Sequence, residues 1–289
     1  MNGIILVDKP EGFTSFDVVA KLRGILRERR IGHSGTLDPM STGLLVVFVG
    51  RATRAVEFAE SHEKEYIAAL RPGIVTDTQD ITGTVLKTSE KTFSRDDLLS
   101  VLPEFTGELL QTPPMYSAIK VGGKKLYELA RKGVEIERES RPVTIKKLEF
   151  LGVENDDFLL RVVCSKGTYI RSLVSDIGER LGTGATLSKL RRTAAGEYSI
   201  KDAHTLVEIS ELAKKGGLDT IFMPVDSLFE EYPCFTLTEQ QLKRCLNGNS
   251  FETPLADGKY RAYDGNGSFL MLANVENGIM STVKSFFEI

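Results

Sequence analysis

Three glycines and a proline fall within the twelve residues Gly32–Gly43, a density that excludes a helix there. The stretch follows an amphipathic segment and runs directly into Leu44–Val49, an apolar run of strand length. The chain must therefore leave a helix, cross a loop and enter a buried strand. Upstream, the apolar strand Ile4–Val7 and the turn Lys9–Gly12 lead to a helix start at Thr14 or Ser15, where a hydroxyl caps free N–H groups and Asp17 suits the positive helix end. Val18, Val19, Leu22, Ile25 and Leu26 then form one apolar stripe. Further strands are expected over Glu65–Leu70, Val85–Lys87, Val143–Phe150 and Phe158–Cys164, with turns at Gly73 and Gly83. A second amphipathic helix is expected over Tyr169–Leu181, closed by Gly182, and a short one over Leu187–Arg192. Helices interrupt these strands at unequal intervals, so the fold class reads as α+β rather than a doubly wound sheet.

Past an acidic connector the texture changes. Arg261–Tyr263, Phe269–Ala273 and Thr282–Phe287 are strand-like, separated by Asp264-Gly265-Asn266-Gly267 and Asn277-Gly278, which are strong hairpin signals. A small all-β unit of about 60 residues is expected to close the chain. With 289 residues, 41% hydrophobic and 27% charged, the sequence has ordinary globular usage, and disorder and coiled coil are disfavoured. No apolar run approaches the ~20 residues of a membrane span and no basic-then-apolar leader opens the chain, so a cytoplasmic location is expected.

Charge is unevenly spread. The net charge is −3, yet Lys21–Arg30 holds five basic residues against one acid and Pro114–Pro142 holds seven against four, whereas Asp202–Cys234 holds seven acids against two lysines. Such asymmetry permits a local polyanion-binding face on an acidic protein. Cys164, Cys234 and Cys245 contain no C-x-x-C pair, and His33, His62 and His204 lie too far apart for usual ligand spacing, so neither a disulfide framework nor a metal site is expected. There is no G-x-x-x-x-G-K-[ST] phosphate loop.

Among residues able to carry chemistry, Asp38 stands out as an acid in the glycine-rich loop, its backbone biased to an extended form by Pro39. Read locally, it fits equally well as the starter of an Asp-Pro turn. In Cys164–Arg171 an apolar strand breaks at Gly167 and enters a helix, placing Tyr169 and Arg171 near its first turn; arginine offers a planar donor fork and tyrosine a stacking face, a combination that suits a carboxylate or a nucleobase. By default Tyr66 reads as a strand aromatic, Leu190 as core and His33 as a loop hydrogen-bonder.

In order, Val7-Asp8-Lys9-Pro10 with Gly12-Phe13-Thr14-Ser15, Gly32–Gly43, Lys64-Glu65-Tyr66, Thr76–Asp80, Gln111–Lys120, Cys164–Arg171 and Leu190-Arg191-Arg192-Thr193 resemble the motifs of the bacterial TruB family of tRNA pseudouridine-55 synthases. The resemblance implies a pseudouridine synthase fold, with a mixed, mostly antiparallel central sheet flanked by helices and loops. It also implies a catalytic domain over 1–230 with a basic thumb-like insertion at about 114–142, and a PUA-like RNA-binding domain over 231–289. It implies isomerisation of one uridine in the tRNA T loop: the bond from N1 is cut, the base rotates, and C5 is joined to the ribose. Asp38 falls on the family's catalytic aspartate, Tyr66 on the tyrosine that stacks on the target base, and Arg171 on the arginine paired with the aspartate. Tyr169 and Leu190 match the base-pocket lining and His33 the histidine that helps hold the T loop; Lys64 and Lys120, within matching motifs, are expected to bind substrate. A carboxylate serves either by covalent addition to base or sugar or by removing a ribose C2′ proton, and both routes stay open here. An adjacent guanidinium should lower the pKa of Asp38. The implied chemistry needs no cofactor and no metal; the expected partner is the tRNA T-arm, bound by a monomer.

Two other readings compete. An RNA-binding or RNA-folding protein without catalysis would have no use for an ion-paired aspartate beside a base-stacking tyrosine. Ser117-Ala118-Ile119-Lys120 matches S-x-x-K of serine acyl-transfer enzymes, but no S-D-N accompanies it.

Overall fold

The structure, a computed structural model, describes residues 1–60, 63–117 and 119–287; His62 and Ala118, both named above, lie outside the described residues. The chain opens with β1 (Gly3–Lys9), α1 (Ser15–Leu26), β2 (Ile31–Ser34), β3 (Thr42–Val49) and α2 (Val56–Glu60). The hydroxyl of Thr14 accepts from the Asp17 N–H while the Asp17 carboxylate accepts from Thr14, a reciprocal cap that fixes where α1 begins. Then follow β4 (Lys64–Pro72), β5 (Ile74–Thr76), β6 (Val85–Thr88), α3 (Arg95–Val101) and β7 (Gly107–Gln111). Next come β8 (Lys120–Val121), β9 (Lys124–Lys125), α4 (Leu126–Ala130), β10 (Arg141–Glu154), β11 (Asp157–Cys164), α5 (Ile170–Arg180), β12 (Ala185–Ala195), β13 (Tyr198–Ser199) and α6 (Leu206–Lys215).

The central sheet runs β1-β3-β12-β4-β11-β10-β7, with β2 paired to β3 and β13 to β12. Every pairing is antiparallel except β12 with β3. This is the mixed, mostly antiparallel sheet of the α+β expectation. Two expectations are corrected. Residues 187–192, expected as a short helix, form the middle of β12, because β3 and β4 on either side satisfy its backbone; two leucines three apart in a six-residue stretch do not by themselves tell a strand from a helix. The glycine-rich stretch is shorter as a loop than expected, since 31–34 pair with 46–49 and put His33 on a strand, leaving 35–41 to span the gap. Gly43 has φ +101°, and a Cβ there would meet the Arg192 carbonyl oxygen at 2.3 Å, so the close approach of β3 to β12 requires glycine.

Two apolar layers cover the sheet. Leu173, Val174 and Ile177 of α5, with Leu98 and Val101 of α3, pack on Ala68, Leu70, Leu160 and Val162 of β4 and β11. Val18 and Leu22 of α1 and Ile209 of α6 pack on Val7 and Leu45 of β1 and β3, whereas Leu6 and Leu44 of the same strands face the opposite way, into a cluster with Phe229.

The C-terminal unit is a curled five-stranded sheet, β14 (Cys234–Thr236), β15 (Phe251–Glu252), β16 (Gly258–Tyr263), β17 (Phe269–Glu276) and β18 (Ile279–Ser285), ordered β14-β16-β17-β18-β15, of PUA-like architecture. To the strands expected there it adds one helix, α7 (Glu239–Leu246), which contributes Cys245 to the unit's own core. A seam of aromatic rings joins this unit to the rest: Phe229 lies 6.1 Å from Phe269 and 6.0 Å from Phe286, and 5.2 Å from Phe58. Among the described residues no helix is long and apolar enough to cross a membrane.

Candidate active site

The loop 35–41 is held from below before any chemistry is considered. Leu37 is buried in the core, and its backbone N–H donates to the Ser15 hydroxyl at 2.9 Å, so the loop is pinned to the first turn of α1. Asp38 follows, and the Ser41 N–H closes a turn on the Asp38 carbonyl at 3.0 Å. The Asp-Pro turn is thus realised, and it presents the carboxylate. On the next residue, the Pro39 carbonyl accepts from the Gly12 N–H at 2.8 Å and from the Lys9 ammonium at 3.3 Å. Lys9 is fully buried and also donates to the carbonyls of Pro10 and Phe13, so it knots the first turn of the chain to the Asp38 loop.

Opposite Asp38 stands Arg171, at the second position of α5 and 5% exposed, with Nε 3.0 Å from Asp38 Oδ2. A cation in the first turn opposes the helix dipole, so its position must be held by acceptors. They are present on every nitrogen. Nη1 donates to the Thr78 carbonyl and Nη2 to the Tyr116 carbonyl, both at 2.8 Å, and Nη1 lies 3.4 Å from Asp80 Oδ2. Asp80 is itself buried; its other oxygen accepts from the Thr78 hydroxyl at 2.9 Å and from the Thr82 N–H and hydroxyl at 3.0 and 2.6 Å. The stretch Thr76–Asp80 is therefore a cradle for one guanidinium, and it is bolted to β12 through the Leu187 N–H on the Gln79 carbonyl at 3.1 Å.

Tyr66 on β4 and Leu190 on β12 are buried in the same apolar cluster as Leu37. They stand on adjacent strands, Leu190 opposite Ala68. Burial pushes the Tyr66 phenol above its ordinary value; the neighbouring Arg192 guanidinium pulls it down and the Asp38 carboxylate pushes it up, which places Asp38 and Arg192 both within electrostatic reach of the hydroxyl. Arg192 is 1% exposed and donates to the carbonyls of Leu44 and Gly35 at 2.7 and 2.9 Å, holding the start of the loop against β3. Tyr169, half-buried at the entry to α5, is fixed by the buried Gln111, whose side-chain oxygen accepts from the Tyr169 N–H at 2.7 Å.

The remaining expected residues are less central. His33 points its Nδ1 into the interior with no hydrogen-bond partner among the described residues, and burial, with Arg192 nearby, holds its imidazole below the ordinary range. Lys64 is 7% exposed, turned inward, with its ammonium on the Glu60 carbonyl at 2.7 Å; burial lowers it to about 8. Lys120 stands exposed on the β8–β9 hairpin. Lys9, Asp80, Gln111 and Arg192, to which sequence reasoning gave no role, supply most of the scaffolding.

One electrostatic expectation is corrected. The Asp38 carboxyl is shifted upward rather than held low: burial dominates, Arg171 and Lys9 pull it down, and Asp80 pushes it up. Although 39% of the side chain is open to solvent, protein surrounds the rest, and the one guanidinium is shared with a second carboxylate. Among the described residues no group of three or more His, Cys, Asp or Glu is placed to hold a metal ion.

A part-exposed aspartate ion-paired to a buried arginine, beside an apolar cluster that holds a tyrosine and a leucine, on a mixed sheet with a curled β-sheet unit alongside, fits the pseudouridine synthases. A family model described as "TruB family pseudouridylate synthase (N terminal domain)" matches residues 23–170, and one described as "tRNA pseudouridylate synthase B C-terminal domain" matches 171–230. The chain belongs to the TruB family. It is 45% identical over 280 residues to "tRNA pseudouridine synthase B" of Pseudomonas fluorescens, covering 95% of this chain and 92% of that one, and 39% identical to the protein of the same name from Clostridium kluyveri, covering 99% and 100%. Among solved structures, a chain in a "Cbf5-Nop10-Gar1 Complex" superposes with a TM-score of 0.75 at 26% identity, covering 99% of this chain and 85% of that one.

Proposed function

We propose that Asp38, Tyr66 and Arg171 are the reacting groups with which this enzyme isomerises uridine 55 in the T loop of tRNA to pseudouridine. A target base inside a folded loop must be flipped out before a carboxylate reaches it. Beside Asp38, Tyr66 would offer the extruded uracil a ring, Leu190 an apolar wall and Tyr169 a flank. The single observation that carries the assignment is the asymmetry of the ion pair, with Arg171 sealed at 5% exposure and Asp38 still 39% open. One carboxylate oxygen is tethered by the buried arginine while the side chain keeps access to solvent. Covalent addition and C2′ proton abstraction both need that arrangement, an ionised carboxylate left accessible. Cleavage of the N1–C1′ bond, rotation of the base and bonding of C5 to C1′ balance when C5 gives up its proton and N1 takes one up, so no oxidant, reductant or cofactor enters the balance. Tyr66, its phenol raised by burial, stays protonated and serves as floor and as a proton-transfer partner at C5.

His33 and Lys64 belong to the wall that receives the T loop, and Lys120 to the thumb-like insertion at 114–142 that tracks the RNA backbone. In this reading 1–230 is the catalytic domain, 231–289 the PUA-like RNA-binding domain, and the enzyme acts as a cytoplasmic monomer on the tRNA T-arm. The S-x-x-K reading is not favoured: Ser117 is buried, and among the described residues no hydrogen bond links its hydroxyl to Lys120.

The test is to incubate an unmodified tRNA transcript with the protein and map pseudouridine by position. Pseudouridine at 55 is expected with the wild type, and none with Asp38→Asn, while tRNA affinity stays within a few-fold. No product from the wild type would overturn the reading; equal collapse of affinity and activity in Asp38→Asn would make Asp38 structural.

A further inference from the structure

Gln111 is the last residue of β7, 6% exposed, and it touches nothing that reacts. Its carboxamide nevertheless reads both polar groups of one backbone residue: Oε1 accepts from the Tyr169 N–H at 2.7 Å and Nε2 donates to the Tyr169 carbonyl at 3.0 Å. Reversing the amide would set donor against donor and acceptor against acceptor, so the pairing has one sense.

Tyr169 is the residue from which α5 starts, and it brings no side-chain cap of its own to that helix end. Four other helices of this chain, α1, α3, α6 and α7, have their starts fixed locally, by Thr14, Ser94, Thr205 and Thr238. At α5 the fixing group comes instead from β7, fifty-eight residues away in sequence. Two residues beyond Tyr169 is Arg171, so the register of this helix end decides where the guanidinium meets Asp38. The same stretch of chain grips the site a second time: five residues past Gln111, the Tyr116 carbonyl accepts from Arg171 Nη2. β7 also pairs Gln111 with Arg141, where the thumb-like insertion returns to the sheet. Both ends of the insertion thus converge on Gln111.

We propose that Gln111 is a positioning residue for pseudouridine formation, clamping the Tyr169 backbone so that Arg171 is held on Asp38, and so tying the root of the RNA-facing insertion to the reacting pair. This rests on the site reading given above. A clamp of this kind acts through geometry: a displacement of the order of 1 Å at the reacting centre costs about 10²-fold in rate.

Two substitutions of similar size test it. Gln111→Met removes both hydrogen bonds; Gln111→Glu keeps the acceptor for the Tyr169 N–H and sets a carboxylate oxygen against the Tyr169 carbonyl. Single-turnover pseudouridine formation at saturating enzyme is measured beside tRNA affinity, melting temperature and the pH profile of the rate. The expected result for Gln111→Met is a bound-state rate lower by about 10- to 100-fold, with affinity within threefold. Gln111→Glu should also slow the bound-state rate. The acid limb of the profile should move to higher pH: the charged and titratable groups facing Asp38 are Arg171, Lys9, Asp80, Tyr66 and Tyr169, and loosening Arg171 removes the largest of the pulls that lower its carboxyl. A purely structural role would lower the fraction of active enzyme and leave that limb in place. Unchanged bound-state rates, or a lower amplitude with an unmoved pH limb, would overturn the proposal; if Gln111→Met does not fold, Gln111→Glu decides by the same criteria. Wild-type enzyme run in parallel separates the two claims: without pseudouridine at 55 the site reading fails, and with it, but with variants indistinguishable from wild type, only the role of Gln111 fails.

Discussion

The two walls of the site are built in opposite ways. The sheet-borne wall places Asp38, Tyr66, Arg171 and Leu190 on or beside β3, β4, α5 and β12, and the Arg171 guanidinium has acceptors on all three nitrogens. The insertion, by contrast, divides within itself. Its root, with Pro113, Pro114, Met115 and Ser117 buried, is part of the same packed frame; from 119 to 142 only Leu126 is buried, on two-residue strands and a five-residue helix. The first wall spends its polar groups on each other, and the tip of the second keeps Lys120, Lys124 and Lys132 exposed for a partner. Chemistry here needs atoms held within fractions of an ångström, whereas recognition of a phosphate backbone needs charge and reach.

If that contrast is real, damage to the sheet-borne wall should slow the bound-state reaction and damage to the tip should weaken binding. Arg171→Lys is the most severe test after loss of Asp38 itself. A lysine is a point donor and cannot reach Asp38, Asp80, Thr78 and Tyr116 together, so buried acceptors lose their partner. The expected outcome is a single-turnover rate down by about 10²- to 10³-fold with near-normal tRNA affinity, comparable to loss of an oxyanion-type donor. A large loss of affinity instead would break the comparison.

Asp80→Asn is the next step down. It keeps the Thr78 and Thr82 contacts in large part while removing the second carboxylate that shares Arg171; Asp38 and the carbonyls of Thr78 and Tyr116 still hold the guanidinium in place, so a loss of up to about tenfold in the bound-state rate is expected from a small displacement. The sign of its pH effect is the sharper measurement. Asp80 pushes the Asp38 carboxyl upward, so neutralising it lets Asp38 ionise at lower pH. Because the reaction needs the carboxylate, the acid limb of the rate profile should move to lower pH, opposite to the shift expected for Gln111→Met.

Much of this frame is legible in the sequence, and the parts that are not share a cause. The start of α1 is written locally in Thr14 and Asp17, and the loop presenting Asp38 follows from its glycines and proline; both depend on neighbours a few residues away. β12 is different. Its register slips between Leu187 and Lys189 and again between Arg192 and Ala194, which breaks the alternation of a strand and leaves Leu187 and Leu190 three apart, as on a helix. Only pairing with β3 and β4 resolves it. Gln111 and Arg192 read as ordinary polar residues because their partners lie far along the chain, on Tyr169 and Leu44, and Lys9 and Asp80 because the contact that ties each to the site, with Pro39 and with Arg171, is a distant one. One signal is present even so: a cation in the first turn of a helix demands acceptors, and Arg171 occupies such a position. The direction of the Asp38 shift escapes a sequence reading for a related reason, since one arginine is visible in a motif but the second carboxylate sharing it is not.

The smallest effect is expected at the insertion's tip, and it discriminates best between the two walls. Replacing Lys120, Lys124 and Lys132 by glutamine removes three exposed charges and no hydrogen bond seen among the described residues, so melting temperature should hold within experimental scatter. If the tip tracks the RNA backbone, each lysine that releases a counterion contributes to the salt dependence, and the slope of log affinity against log salt should flatten by roughly 2 to 3 for the triple variant. An electrostatic defect is then largest at low salt and shrinks as salt is raised; a defect independent of salt would instead mean that the hairpin's shape was altered. The bound-state rate at saturating enzyme should match wild type, because among the described residues no hydrogen bond or ion pair links Lys120, Lys124 or Lys132 to Asp38, Arg171 or their partners. A slowed bound-state rate would mean that the tip is wired to the reacting pair as the root is, and the division of labour between the two walls would have to be redrawn at the tip rather than at 117–119.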